Sequence, residues 1–161
     1  MRVHELSPTD CEAVLRRTEM GRLACARENQ PYIVPIHFCF DLGGYCLYGF
    51  STVGQKIQWM RDNPRVCVEV AEVTDKDNWV SVVVFGRYEE VDDSPEGAGA
   101  RAYAWELFRK RPEWWFPAAA TVAGREPGAV VVYRIQIEHL TGRRASRERT
   151  PRRAGKPRIP K

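Results

Sequence analysis

The residues with the clearest chemical content lie between Ser51 and Arg65, S-T-V-G-Q-K-I-Q-W-M-R-D-N-P-R. Ser51 and Thr52 offer hydroxyls, Gly54 lets a backbone come close, and Lys56 brings a positive charge. Val53, Ile57 and Met60 recur at helical spacing, which predicts a short helix from near Val53 to just before Pro64. The start of a helix has unpaired N–H groups and a partial positive charge, so it suits a phosphate. Two hydroxyls and a lysine there make a cradle for a phosphomonoester. On these residues alone, a surface helix with a solvated lysine is the simpler account. The glycine spacing is neither a P-loop nor a dinucleotide fingerprint.

Other groups are chemically notable one at a time. His37 stands in P-Y-I-V-P-I-H-F, where a strand histidine is more often a hydrogen-bonded side chain than a catalyst. Arg87 follows Gly86 at the end of the apolar run W-V-S-V-V-V-F. An arginine leaving a buried strand needs an anion or a carboxylate, and Glu69 and Glu89 are the carboxylates expected to pair with it. Trp114, Trp115 and Phe116 form an aromatic segment between prolines. It reads as a lid over a flat ligand, part of a subunit interface, or core filling. Cys11, Cys25, Cys39, Cys46 and Cys67 are spaced by 14, 14, 7 and 21 residues with no C-x-x-C pair. That spacing is poor for zinc or for a disulfide framework, so no metal site is expected.

These groups need elements to hold them. Ser7-Pro8-Thr9-Asp10 is a helix start with a cap, a first-turn proline and an acid near the N-terminus. Gly21–Arg27 reads as a strand, Asn29-Gln30-Pro31 as a turn, and 31–42 as one long strand. On that strand Tyr32, Val34, Ile36, Phe38 and Phe40 share one face, and Ile33, Pro35, His37, Cys39 and Asp41 the other. Pro35 implies an edge or a bulge. Gly43-Gly44 turns into a strand at 45–50, which leads into the Ser51 segment. Strands follow at 65–73 and 79–91, with both faces of 79–85 expected to be buried and Gly86 marking a bulge or a close backbone approach. Ser94-Pro95-Glu96 opens a helix running towards Arg111, and a last strand spans 129–140.

A chain of 161 residues with 43% hydrophobic content and five tryptophans fits one folded domain. It has no apolar run of about 18 residues and no signal-peptide pattern at Met1–Asp10, so no membrane association and a cytoplasmic location are expected. The net charge of +4 hides an asymmetry. Residues 142–161 hold nine Lys or Arg against one Glu, which leaves residues 1–141 with 16 basic and 20 acidic groups. The expected organisation is a folded body at 1–141 and a disordered basic tail at 142–161. Nucleic acid, if contacted at all, would be contacted by the tail alone.

Taken in order, G-R-L-A at 21–24, P-Y-I-V-P-I-H-F at 31–38, the 51–64 segment, W-V-S-V-V-V-F-G-R at 79–87 and R-P-E-W-W-F-P at 111–117 resemble the pyridoxamine 5′-phosphate oxidase-like flavin-binding split β-barrels. The branch most similar includes the 5-nitroimidazole-resistance (Nim) proteins. The resemblance covers roughly residues 1–145. It implies a mainly β fold, a six-stranded antiparallel split barrel with flanking helices, and a homodimer with FMN at the interface. By similarity Ser51, Thr52, Gly54 and Lys56 hold the FMN phosphate, and the backbone of Val34, Pro35, Ile36 and His37 runs beside the isoalloxazine ring. Arg87, Trp114 and Trp115 come from the partner subunit, and His37 is the catalytic candidate. No match is found for the basic residues that pyridoxamine phosphate oxidase needs for its substrate's phosphate. The implied activity is an FMN-dependent oxidoreductase passing electrons to a small electron-poor acceptor, with a nitroaromatic as the family-based choice. The alternatives are the same fold with a deazaflavin, or with haem on His37 or His139, and a flavin-binding module without turnover.

Overall fold

The computed structural model of the chain describes residues 1–92, 94–95, 97–110 and 130–147. Local turn chemistry sets the first pairing. β2 (Met20–Arg27) and β3 (Gln30–His37) are joined by Glu28 and Asn29, both at positive φ (49° and 62°), the two-residue geometry that matches strand twist. β4 (Cys39–Asp41) and β5 (Cys46–Thr52) are joined across Gly43-Gly44, where the Asp41 carboxylate accepts the Gly43 and Gly44 N–H groups at 3.2 and 2.8 Å. β6 (Arg65–Asp75) and β7 (Asn78–Glu90) form a long hairpin, and β8 (Val130–Ser146) crosses back over β7 and β5. β1 (Arg2–Glu5) pairs with the far end of β8. The helices among the described residues are α1 (Pro8–Arg17), α2 (Gln55–Asp62) and α3 (Ala98–Arg109).

All pairings are antiparallel, and the strand order is β3-β2-β6-β7-β8-β5-β4. β3 and β4 therefore lie at opposite ends of one sheet while only Phe38 separates them in sequence. The sheet must curl until its ends approach, but no ladder joins β3 to β5. That seam is the split of a split barrel. Leu23, Leu47, Val68, Val82, Val84 and Ile135 fill the interior with Val14 and Leu15 of α1 and Ile57 and Met60 of α2. A smaller cluster under α3 joins Cys39, Cys46, Tyr48 and Val132 to Ala104 and Phe108.

The described residues form eight strands where six were expected. β1 is additional, and the run 31–42 breaks at Phe38 into two strands. The last strand also continues to Ser146, so the body does not end at 141. Gly142 packs on Leu6 and Cys11, its carbonyl accepts the Leu6 N–H at 2.9 Å, and Ala145 is buried. Along β7, Val80, Val82 and Val84 are buried, but Trp79, Ser81 and Val83 are half-buried and Phe85 is 41% exposed, so one face of 79–85 remains accessible in a single chain. Gly86 does mark an irregularity: the β7–β8 register shifts between Phe85 and Gly86, and a Cβ there would lie 2.4 Å from Gln136 O.

Two glycine substitutions should separate. Gly86→Ala forces backbone apart and should cost at least about 1–3 kcal/mol. Gly99→Ala, in the first turn of α3 with open space around it, should stabilise by about 0.4–1 kcal/mol, chiefly by restricting the unfolded chain. Urea denaturation of both variants checks this, and an unperturbed Gly86→Ala would mean that the bulge is soft.

Candidate functional site

The candidate site is the seam, with β3 on one lip and the end of β5 with α2 on the other. β5 runs through Ser51 and Thr52 directly into the turn Val53-Gly54 and the first residue of α2. Gly54 is the helix N-cap and supplies no side-chain bond, so the opening N–H groups of α2 have no capping side chain. The buried stripe is Ile57 and Met60, and Val53 is exposed outside the helix, so α2 starts two residues later than its apolar spacing suggested.

α2 is held at its other end. Arg61 donates from Nε to Glu90 Oε1 (2.5 Å) and from Nη2 to Oε2 (3.1 Å), and Tyr88 donates its hydroxyl to the same carboxylate at 2.9 Å. Arg27 pairs with Asp62 at 3.3 Å, and Asn63 donates to Ala26 O at 3.0 Å. Trp59 meets Tyr32 of β3 with ring centroids 5.4 Å apart. The C-terminal end of α2 thus sits over the β2–β3 turn, and Trp59 sits over Tyr32.

Lys56 is half-buried, and desolvation holds its ammonium below the usual lysine range. It makes no hydrogen bond or ion pair with the described residues. A desolvated cation at an uncapped helix start is unfavourable until an anion joins it. The two hydroxyls are less alike than their adjacency suggests. Ser51 lies opposite Val131 on the interior side, and Thr52 opposite Val130 on the α3 side. Strand alternation turns them to opposite faces, and Ser51 Oγ donates to Thr52 O at 2.9 Å.

On the other lip, Val34 and Ile36 face the interior, and Pro35 and His37 face out. β3 is an end strand, which accommodates a residue without an N–H at Pro35. His37 is half-buried with Nδ1 3.3 Å from Glu19 O. A carbonyl only accepts, so Nδ1 carries the hydrogen and Nε2 the lone pair in the neutral ring. Burial lowers the His37 pKa below its ordinary value, which favours that neutral form.

Arg87 is not brought to this site within one chain. It lies on β7 opposite Gln136, five β8 residues from the level of Ser51, or about 17 Å along the strand. Its nearest carboxylate is Glu138 at 3.8 Å, and the expected pairings with Glu69 or Glu89 do not form. Glu89 has Arg134 directly opposite at 2.8 Å, and Glu69 is taken by Arg22 at 3.1 Å and Ser81 at 3.3 Å. Trp114 and Trp115 lie outside the described residues. The Trp59–Tyr32 pair escaped sequence reasoning; its signal was the three-residue step from Lys56, which puts both side chains on one side of the helix.

Residues 7–144 match the family model described as pyridoxamine 5′-phosphate oxidase. An uncharacterized protein of Rhizobium meliloti (strain 1021) is 39% identical over 148 residues, 90% of this chain and 97% of the relative. The crystal structure of a FAD-binding protein from Mesorhizobium loti is 43% identical, with a TM-score of 0.74 over 91% of this chain and 100% of that one. A candidate 5-nitroimidazole antibiotic resistance protein from Bacteroides thetaiotaomicron shares the fold, with a TM-score of 0.63 at 17% identity over 89% of each chain. With the model spanning most of its length, this chain belongs to the pyridoxamine 5′-phosphate oxidase family.

Proposed function

We propose that the seam binds a flavin nucleotide through its ribityl phosphate, that two copies of the chain enclose it, and that the complex is an oxidoreductase. The observation that carries the reading is Lys56, a desolvated cation with no described partner at an uncapped helix start beside an end strand. The FAD-binding relative from Mesorhizobium loti supports a flavin as the anion's owner. FMN is the form expected from the sequence. A bound flavin would supply two-electron chemistry towards a small electron-poor acceptor, with a nitroaromatic as the proposed class. The chain's own residues supply position. Lys56 neutralises the phosphate, Ser51 or Thr52 adds one hydroxyl, and the 34–37 backbone flanks the ring. His37, neutral with its lone pair on Nε2, is better suited to fixing a hydrogen bond than to delivering a proton.

The dimer reading rests on the outer face of the sheet. Met20 (55% exposed), Ile33 (62%), Val73 (70%) and Phe85 (41%) all lie on it, around Ala24 and Cys67. Such an apolar face suits a second copy of itself. It would also bring Arg87 of one copy near the other's seam. The strand order disfavours a haem held by both His37 and His139 at once, and leaves a haem on either one alone as the alternative reading. Three strands separate β3 from β8, which puts the two imidazoles about 19 Å apart along the sheet. No helix among the described residues is long and apolar enough to cross a membrane.

Two measurements test this. Lys56→Ala should weaken FMN binding ten- to a hundredfold, about 1.4–2.8 kcal/mol, while barely changing riboflavin binding or apoprotein stability. Equal losses for both ligands would mean that Lys56 shapes the pocket without reading the phosphate. Phe85→Asp should convert a dimer to a folded monomer by light scattering, and an unchanged dimer would move the interface to another face.

A further inference from the structure

Away from the seam, on the outer face of the sheet, an open hollow of about 390 Å³ lies over β2, β6 and β7. This volume falls in the range of small-molecule sites, about 300–1,000 Å³. Its floor is paved with small side chains, Ala24, Ala26 and Cys67, and Ala24 and Cys67 are direct cross-strand partners. Phe85 walls the hollow opposite Cys67, and Pro31 walls it opposite Ala26. A flat floor beside an aromatic wall suits a flat apolar body. One end is charged, because Arg65 and Glu138 line it there.

The charges at that end do not balance. Strand alternation puts Arg65 on the same face as Cys67, and Arg87 on the same face as Phe85. The β6–β7 register sets the two arginines directly opposite each other. Like charges in that relation repel. Glu138 approaches Arg87 at 3.8 Å, but the Arg65 side chain has no hydrogen bond or ion pair with the described residues. Two guanidiniums against one carboxylate leave one positive charge uncompensated at the rim. A guanidinium receives a carboxylate through parallel N–H donors in one plane. A singly charged carboxylate therefore completes the balance, whereas a phosphate dianion beside Glu138 would exceed it.

We infer that this hollow binds a small aromatic carboxylate, with its ring on the Ala24–Ala26–Cys67 floor beside Phe85 and its acid group on Arg65, Arg87 being the second cation. The contact uses neither Lys56 nor a flavin, so it stands apart from the flavin reading. On the dimer reading the hollow would be enclosed between two copies. Calorimetric titration of 2-naphthoate, with 2-naphthamide as its uncharged counterpart, tests the site. The wild type should bind the acid about tenfold more tightly than the amide, or better. Arg65→Ala should weaken the acid about tenfold and leave the amide within about twofold, so that the preference disappears. Ala24→Leu should weaken both ligands by filling the floor, and Lys56→Ala should weaken neither. Because Arg65 is exposed, thermal unfolding of its variant should match the wild type. Equal affinity for acid and amide would overturn the site, as would a preference that survives Arg65→Ala or an Ala24→Leu variant that binds both ligands normally. A loss on Lys56→Ala would overturn it by moving the acid to the seam, and no binding of 2-naphthoate at about 1 mM would overturn it outright. Each of these outcomes leaves the flavin reading to be decided separately, by FMN titration of the Lys56 variant.

Discussion

The structure depends on one constraint of connectivity. β3 and β4 are consecutive in the chain and lie at opposite ends of the sheet. Phe38, the single residue between them, is buried, and its N–H is donated to Glu19 O at 3.1 Å. A flat sheet cannot satisfy that arrangement, so the strands curl around the interior and leave a seam where β3 faces β5 without a ladder. The interior side chains close the seam's floor, while unpaired backbone and the start of α2 line its lips.

In the proposed reading, α2 makes this seam a binding place because its two ends are treated differently. The C-terminal end is tied to β2, β3 and β7 by Arg27–Asp62, Asn63, Trp59–Tyr32 and the Arg61–Glu90–Tyr88 cluster. Surface ion pairs are individually weak, but a bidentate pair sharing its carboxylate with a buried tyrosine restricts the helix more than one contact does. The N-terminal end has no capping side chain and a lysine stripped of much of its water. One end supplies rigidity and the other supplies an unmet demand for negative charge.

Much of this was legible in the sequence. The hairpin turns, the helix after Ser51, the edge position of Pro35 and the irregularity at Gly86 follow from turn chemistry and apolar spacing, which are local. What the sequence hid is non-local. The G-R-R-A run at 142–145 looked like a tail because of its charge, yet Gly142 and Ala145 pack inward while the arginines point out. β1 carries no apolar signal, since every residue in it is exposed, and it exists because β8 offers an edge. The partners of Arg87, Glu69 and Glu89 were decided by cross-strand register, which no spacing within β7 reveals. Ser51 and Thr52 read as a pair in sequence and separate in space because a strand turns alternate side chains to opposite faces.

The position of β8 also governs how the chain is made. β8 pairs with β1, β5 and β7, elements whose residues precede it by dozens to more than a hundred positions. Contacts this far apart in sequence are slow to form, because the loop must close before the contacts compensate for it. During synthesis the β2–β3 and β6–β7 hairpins can assemble as they emerge, but β5 and β7 wait with open edges until residues 130–146 leave the ribosome. Over that interval the open edges of β5 and β7 are available for pairing with another chain.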